Sequence, residues 1–198
     1  MVVGHDRRVI MGPGRGAEMF GIVALVPDEK SREQSTTDPW VAEGSIEALL
    51  EAFRDFPDWM LEIFKRAPDV ALWQLRDIDP LPRWVRGRAI LIGDAAHSML
   101  PTQGQGASQS IEDAEALQAF LADFPGDPTV DQVQHALNNV FQWRFERASL
   151  IQKYSRQQAR PGTDAKPNTV KLNPGEFMKY NCDYHGAKEW LSRSTHTV

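Results

Sequence analysis

One stretch, residues 87–124, constrains the fold of this chain more than any other part of its sequence. The apolar run 89–92 is typical of a short buried parallel strand, and Gly93-Asp94 ends that run. A turn of small residues and a Pro/Gly loop come next, followed by apolar residues at helical spacing. This order predicts a ligand site at the carboxyl end of the strand. The residues expected on one buried face of the helix are Ala107, Ile111, Ala114, Leu117 and Leu121.

The chemistry of this stretch indicates what kind of ligand it would bind. A carboxylate at the strand end, Asp94, can accept hydrogen bonds from ligand hydroxyls. Gly104 and Gly106 let the backbone approach a ligand closely, because they have no Cβ. The helix that begins near Ala107 offers unpaired N–H groups and the positive end of its dipole. A carboxylate for a polyol and amides for an electron-poor ring suit a flavin dinucleotide.

The residues themselves form a long, many-pointed motif: Gly-Arg-x-x-Leu-x-Gly-Asp-Ala-Ala-His-x-x-x-Pro-x-x-Gly-Gln-Gly, then Glu-Asp-Ala six residues later. It resembles the second flavin-binding motif of FAD-dependent aromatic hydroxylases, with the salicylate-hydroxylase-like monooxygenases as the nearest type. The resemblance implies that Asp94 holds the ribityl chain of FAD. It implies that the backbone of Gly104, Gly106 and Ala107 meets the pyrimidine end of the flavin ring. It also implies that Pro101 borders the pocket where oxygen reacts.

Other polar residues of the motif have structural alternatives. Asp94 could instead cap a turn or the next helix, although the surrounding motif favours the flavin role. His97 could be catalytic, but a lone histidine in a turn of small residues is more often structural. Glu112 and Asp113 fit the first turns of a helix through its dipole, and we assign them no chemistry. The catalytic residues therefore remain unassigned.

Composition excludes several classes of function. The chain has 198 residues, a net charge of −5 and ordinary apolar and charged content, which argues against nucleic-acid binding. Its apolar runs are too short to cross a membrane, and the Asp6-Arg7-Arg8 start does not resemble a secretory signal. The scattered histidines and one cysteine, Cys182, predict no metal site and no internal disulfide. We expect a cytoplasmic protein.

Residues 1–80 are predicted to be part of a substrate-binding domain, with a hairpin, two short helices and a strand. The hairpin strands are expected at 8–11 and 20–26, the helices at 45–53 and 57–67 and the last strand at 70–75. Gly12, Gly14 and Ala17 match a dinucleotide-binding spacing. However, an apolar β-rich run follows them where that fingerprint needs a helix, which favours a hairpin turn.

This hairpin departs from the family that the chain resembles. Many members carry Tyr-Pro where this chain has Gly12-Pro13, and that tyrosine helps to position or deprotonate a phenol. The resemblance therefore does not carry ordinary phenol activation over to this chain. Arg15 is the nearest polar candidate for binding an aromatic carboxylate, with simple solvent exposure as the favoured alternative.

Residues 81–160 are predicted to be the C-terminal part of a FAD-binding domain, ending in a long helix that Asp127 would cap. Its second half could be an NADPH phosphate site, but a solvated basic face is the favoured interpretation. Residues 161–198 form a tail with an aromatic cluster. The residues expected on the buried face of the long helix are Val130, Val133, Leu137, Val140, Ala148 and Ile151. The basic residues of its second half are Arg144, Arg147, Lys153, Arg156 and Arg160. The aromatic cluster of the tail consists of Phe177, Tyr180, Tyr184 and Trp190.

The predicted fold class is mixed α/β (α+β), a partial FAD-dependent hydroxylase fold. It would contain antiparallel substrate-domain strands, the Gly-Asp strand–loop–helix and the long C-terminal helix. By resemblance, the protein would be a monooxygenase, or a fragment of one, that uses FAD, NADPH or NADH and O₂ to hydroxylate a small aromatic substrate.

The glycine-rich loop for the FAD pyrophosphate is missing before Val9, and three explanations remain. The chain could be the downstream half of a longer protein, or it could pair with a second chain. It could also be an inactive relative that acts as a binding protein.

Overall fold

The computed structural model describes residues 1–27, 41–122, 124–159 and 170–189. The chain divides into two compact units, Met1–Leu75 and Arg76–Val198. Antiparallel strands and helices make up the first unit, and helices dominate the second. The predicted mixed α/β class is confirmed. The predicted loop at 28–40, Arg160, the expected helix end at Pro161-Gly162 and Trp190 lie outside the described residues.

Over its described residues, 1–27 and 41–75, the first unit contains a three-stranded antiparallel sheet, a two-stranded sheet and two helices. The larger sheet has the strand order β1-β2-β3, and β4 pairs with β5. The elements are β1 (Val2–Val3), β2 (Arg8–Gly14), β3 (Met19–Leu25), β4 (Val41–Glu43), α1 (Ile46–Ala52), α2 (Asp58–Phe64) and β5 (Ala71–Trp73).

The hairpin of β2 and β3 pairs without interruption from Arg8 opposite Leu25 to Gly14 opposite Met19. Its turn is a short 3₁₀ segment, Arg15–Ala17, in which all three residues have positive φ. An apolar strand follows this turn, so the glycine spacing belongs to a hairpin and the dinucleotide fingerprint is excluded, as predicted. Arg15 is exposed at the tip.

The core of the first unit lies between its sheet and its two helices. Phe53 packs edge-to-face on Phe56 and Phe64, with ring centroids 4.9 and 5.5 Å apart. Ser45 caps α1 by accepting a hydrogen bond from the Ala48 N–H, as predicted. The buried apolar residues are Val9, Phe53, Phe56, Met60 and Phe64.

The described residues of the second unit include a small hairpin and several helices. Two long helices, α4 and α5, pack along each other, and the shorter α6 follows them in the chain. The elements are β6 (Val85–Arg86), β7 (Ala89–Ile90), α3 (Asp94–His97), a 3₁₀ turn (Pro101–Gln103), α4 (Gly106–Leu121), α5 (Val130–Gln158) and α6 (Pro174–Cys182).

The predicted buried parallel strand at 89–92 is wrong. Strand β7 pairs antiparallel with β6, and the two-residue turn between them has Gly87 at a φ of +59°. Leu91 and Ile92 are 41% and 43% exposed. A short apolar run cannot by itself distinguish the two pairings, whereas a glycine at the first position of a two-residue turn favours an antiparallel hairpin.

The predicted buried face of α4 is wrong at three of its five positions, whereas Leu117 and Leu121 are half-buried. Ile111 is 71% exposed, and Ala107 and Ala114 are exposed as well. The buried positions are Gln109, Asp113, Ala116 and Ala119. The helix turns its polar side inward because cations on α5 meet it there. Apolar periodicity does not reveal such a partner.

The N-cap of helix α5 is a different residue from the predicted one. Thr129, not Asp127, is its N-cap, and it forms a capping box with Gln132. Leu137, Val140, Ala148 and Ile151 of the predicted stripe are buried, whereas Val130 is exposed. Tyr154 near its end stacks on Phe177 of α6, with ring centroids 3.7 Å apart. No described helix combines the length and the apolar character that crossing a membrane needs.

Candidate cofactor site

The acidic turn of the motif lies directly against α4. Gly93 is the N-cap of α3 with a φ of +58°, and an added Cβ there would stand 2.9 Å from Ser110 Oγ. Only glycine therefore lets the turn come this close to the helix. Asp94 follows as the first residue of α3, and its side chain is exposed. Within the described part of the chain, its carboxylate has no hydrogen-bond partner.

The glycine loop leaves a stretch of backbone uncovered. Gly104 adopts a left-handed conformation with a φ of +63°, which ends the 3₁₀ turn that Pro101 begins. At Gly104 and Gly106, no atom lies within 4 Å of where a Cβ would be. Gln105, the N-cap of α4, makes no side-chain capping bond, so the first amides of α4 have no cap from it. Ala107 is exposed in the first turn.

One serine connects the acidic turn to the glycine loop. Ser110 Oγ occupies the space that a Cβ of Gly93 would need, and it donates a hydrogen bond to the Gly106 carbonyl oxygen over 3.2 Å. The structure thus brings Asp94 and the loop residues Gly104, Gly106 and Ala107 to the same end of α4. Pro101, also exposed, begins the turn that leads into this end. We call these five residues the cradle.

A buried polar network lies behind the cradle. Asp113 Oδ2 accepts hydrogen bonds from the Gly93 N–H at 2.9 Å and from His97 Nε2 at 2.7 Å. Its other oxygen, Oδ1, accepts from Arg144 Nε at 2.9 Å. His97 is fully buried, and its ring lies 5.3 Å from that of Trp84, centroid to centroid. These contacts support the structural interpretation of His97, and they give Asp113 a role that the helix-dipole interpretation missed.

The basic residues in the first part of the predicted solvated face are buried instead. Arg147 binds Glu112 through two hydrogen bonds of 2.7 Å and lies over the rings of Tyr180 and Tyr184. Arg144 donates to Glu112 as well as to Asp113. The solvated interpretation fails for these two arginines because the acidic pair of α4 is buried against them.

The remaining described cations of α5 behave differently from this pair. Lys153 is exposed. Arg156 forms ion pairs with Asp77 and Asp79, and it donates to the Ile78 carbonyl oxygen over 2.9 Å. It therefore fixes the start of the second unit to the end of α5.

The pKa of one carboxylate in this network is lowered, and the pKa values of two phenols are raised. Burial tends to raise the pKa of Asp113, but hydrogen bonds from His97, the Gly93 N–H and Arg144 outweigh it, so the pKa is lowered. Burial raises the pKa of Tyr180. Burial and the hydrogen bond to Glu115 raise the pKa of Tyr184. At neutral pH, these shifts favour the ionised form of Asp113 and the neutral forms of Tyr180 and Tyr184.

Trp84 is a packing residue. It is buried among Ala96, Ala148 and the rings of Phe141 and Phe145. A separate concavity of about 350 Å³ lies between the end of α4 and the start of α5, lined by Phe120, His135 and neighbours. None of its lining residues belongs to the cradle.

The cradle combines an exposed carboxylate, uncovered glycine backbone and the start of a 16-residue helix. These are the features of a site for a dinucleotide whose sugar hydroxyls and electron-poor ring both need partners. Residues 7–127 match the family described as "FAD binding domain". The chain belongs to this family and is a member of the FAD-dependent aromatic hydroxylases, as the motif predicted, and FAD is its cofactor.

Known proteins support this assignment over most of the chain. Salicylate hydroxylase from Pseudomonas putida is 38% identical over 157 residues, covering 78% of this chain and 36% of that protein. Hispidin-3-hydroxylase from Neonothopanus nambi is 37% identical, covering 74% and 33%. The solved structure "Salicylate hydroxylase substrate complex" has a TM-score of 0.77 at 30% identity, covering 91% of this chain and 45% of the other. The chain thus spans about a third of the length of these two relatives.

Proposed function

We propose that this chain supplies part of a monooxygenase that uses FAD, NADPH or NADH, and O₂ to hydroxylate a small aromatic substrate. The observation that carries the proposal is the cradle. An exposed carboxylate, Asp94, lies beside a helix end whose glycines, Gly104 and Gly106, leave the backbone open. The similarity to hydroxylases of aromatic compounds supports the same reaction class.

Each cradle residue has a distinct role in the proposal. Asp94 accepts hydrogen bonds from the ribityl hydroxyls. The backbone of Gly104, Gly106 and Ala107 meets the pyrimidine end of the ring, where the positive end of the α4 dipole acts on the ring oxygen atoms. Pro101 borders the space in which oxygen reacts. When bound, FAD supplies the redox and oxygen chemistry, while the protein orients it and limits water.

The first unit takes the part of the substrate-binding domain in this proposal. The unit ends at Leu75, whereas the sequence-based division assigns residues 1–80 to the substrate-binding part, 81–160 to the flavin part and 161–198 to a tail. Gly12-Pro13 lies within β2 and carries no hydroxyl, so a phenol would receive no proton acceptor at that position. Arg15, exposed at the hairpin tip, remains the candidate for binding a substrate carboxylate. No residue is assigned as a general acid or base.

Further protein completes the site in this proposal. The relatives are about three times as long as their matched portions, so either a longer chain or a second chain supplies the pyrophosphate loop. Exposed apolar residues of the second unit, Leu91, Ile92 and Ile111, offer a surface for such a partner. The same observation favours the alternative function, a relative without activity that binds another protein. We also propose a cytoplasmic location, which the exposed, unpaired Cys182 suits.

A direct test titrates the purified chain with FAD and follows the quenching of flavin fluorescence. We expect saturable binding that weakens at least about tenfold in Asp94→Asn, because a charged hydrogen-bond acceptor is lost. Asp58→Asn, an exposed acidic residue at the start of α2, is the matched control and should leave binding unchanged. Equal affinity in wild type and Asp94→Asn would contradict the proposed site. Saturable binding of another protein without any FAD binding would favour the alternative.

A further inference from the structure

One buried carboxylate holds both ends of the helix that carries Asp94. Asp113 Oδ2 accepts the N–H of Gly93, the N-cap of α3, over 2.9 Å. The same oxygen accepts from Nε2 of His97, the last residue of α3, over 2.7 Å. A single side chain on α4 thus fixes where α3 begins and where it ends.

Helix α3 needs such an anchor because it is too short to be stable alone. It has four residues, and the amides of Ala96 and His97 both donate to the Gly93 carbonyl oxygen. A single turn gains little from its own hydrogen bonds, since nucleation of a helix is unfavourable. Its position relative to α4, and therefore that of Asp94, depends on contacts outside it.

Asp113 is itself held in one orientation. Arg144 Nε donates to Oδ1, and both side chains are 1% exposed. Arg144 is fixed in turn by the Gln109 side chain, 2.7 Å away, and by Glu112. With its second oxygen occupied by a guanidinium, Asp113 presents Oδ2 to α3 in a fixed direction. If Asp113 only interacted with the dipole of α4, it would need neither this burial nor these hydrogen-bond partners.

We propose that Asp113 is a positioning residue for the cofactor site: through Gly93 and His97 it holds Asp94 where it meets the ribityl chain of FAD. This inference rests on the proposed function for Asp94. In this proposal Asp113 does not contact FAD. His97 helps to hold α3 in place and is not a catalytic residue.

The test compares two carboxylates of α4. Asp113→Asn removes the charge and leaves one oxygen to serve three donors. The control, Glu115→Gln, alters a carboxylate that binds Tyr184 and the Ala187 amide and does not touch α3. FAD affinity is measured by titration, and hydrogen exchange is measured on peptides that span residues 91–98. Thermal melting of each variant reports overall stability.

We expect Asp113→Asn to weaken FAD binding about tenfold and to speed exchange in residues 93–97, while exchange along α5 stays slow. Glu115→Gln should change neither. His97→Gln, which keeps an N–H donor for Asp113, should bind FAD within about twofold of wild type, whereas His97→Leu should resemble Asp113→Asn.

Two results would overturn the proposal. One is wild-type affinity in Asp113→Asn together with weak binding in Asp94→Asn, which leaves the proposed function intact. The other is unchanged exchange in residues 93–97 of a folded Asp113→Asn or, if that variant fails to fold, of His97→Leu. Loss of FAD binding in wild type would contradict the proposed function instead, and the exchange measurement would still decide whether Asp113 holds α3.

Discussion

Arg144 donates from Nε to Asp113 Oδ1 over 2.9 Å, and water reaches almost none of either side chain. Arg144 also pairs with Glu112, which binds Arg147 in turn. Two cations of α5 and two anions of α4 thus alternate within the second unit. Because their formal charges cancel, the two helices can bury polar faces against each other.

Breaking this network by removing one cation should be costly. We expect Arg144→Met to lower the free energy of unfolding by about 3–5 kcal/mol, because Asp113 and Glu112 keep their buried charges without a full partner. Urea denaturation measures the change. Lys153→Met, on an exposed position of the same helix, should stay within about 0.5 kcal/mol of wild type. A similar small effect for both variants would mean that the network contributes little.

The lowered pKa of Asp113 predicts a specific loss of stability in acid. A carboxylate with a lower pKa in the folded state stabilises the fold above its ordinary pKa of about 3.9. That contribution declines as the pH falls below this value towards the folded-state pKa. The difference in unfolding free energy between wild type and Asp113→Asn should be constant between about pH 5 and 7 and shrink below about pH 4. A difference that grows in acid would contradict the assignment.

All three tyrosines have raised pKa values, so the fold should resist their ionisation. Burial is the leading cause at Tyr154, Tyr180 and Tyr184. Unfolded tyrosines ionise near pH 10, so stability should be complete below about pH 10 and decline above it. Phenolate absorbance of the folded chain should rise only above that pH, and together with unfolding. A tyrosine that titrates at about pH 10 or below in the folded chain would oppose this.

Gly106→Ala separates stability from cofactor binding. The residue opens α4, and an added methyl group meets nothing within 4 Å, so the substitution should stabilise the chain by about 0.5–1 kcal/mol. The same methyl group would enter the cradle and weaken FAD binding. Gly126→Ala, at another open position, is the control for binding. Unchanged FAD affinity in Gly106→Ala would show that the loop does not approach the cofactor.

Short-range signals in the sequence were enough to predict much of the fold. The hairpin of β2 and β3, the Ser45 cap and the helix that follows Gly106 all depend on local turn and capping chemistry. Asp94, Gly104, Gly106 and Ala107 are also predicted from local chemistry, because backbone exposure at glycines is a local property, whereas Pro101 is implied only by the family resemblance. Their contact with FAD stays a prediction.

Long-range pairing is what the sequence did not reveal. The inward face of α4 was misassigned because Asp113 is buried only by virtue of Arg144, which lies 31 residues later. The sequence offers one clue: the negative charges of Glu112 and Asp113 complement the positive charges of Arg144 and Arg147. The orientation of 89–92 was missed for a similar reason, since an apolar run does not specify its partner strand.

We propose that FAD meets this chain at the end of α4 beside Asp94, and NMR mapping of the bound cofactor is the sharpest test. Backbone amide shifts are followed in isotope-labelled chain as FAD is added. We expect the largest changes at Asp94, Gly104, Gly106 and Ala107. Shifts confined to other residues, such as those around Phe120 and His135, would contradict the claim.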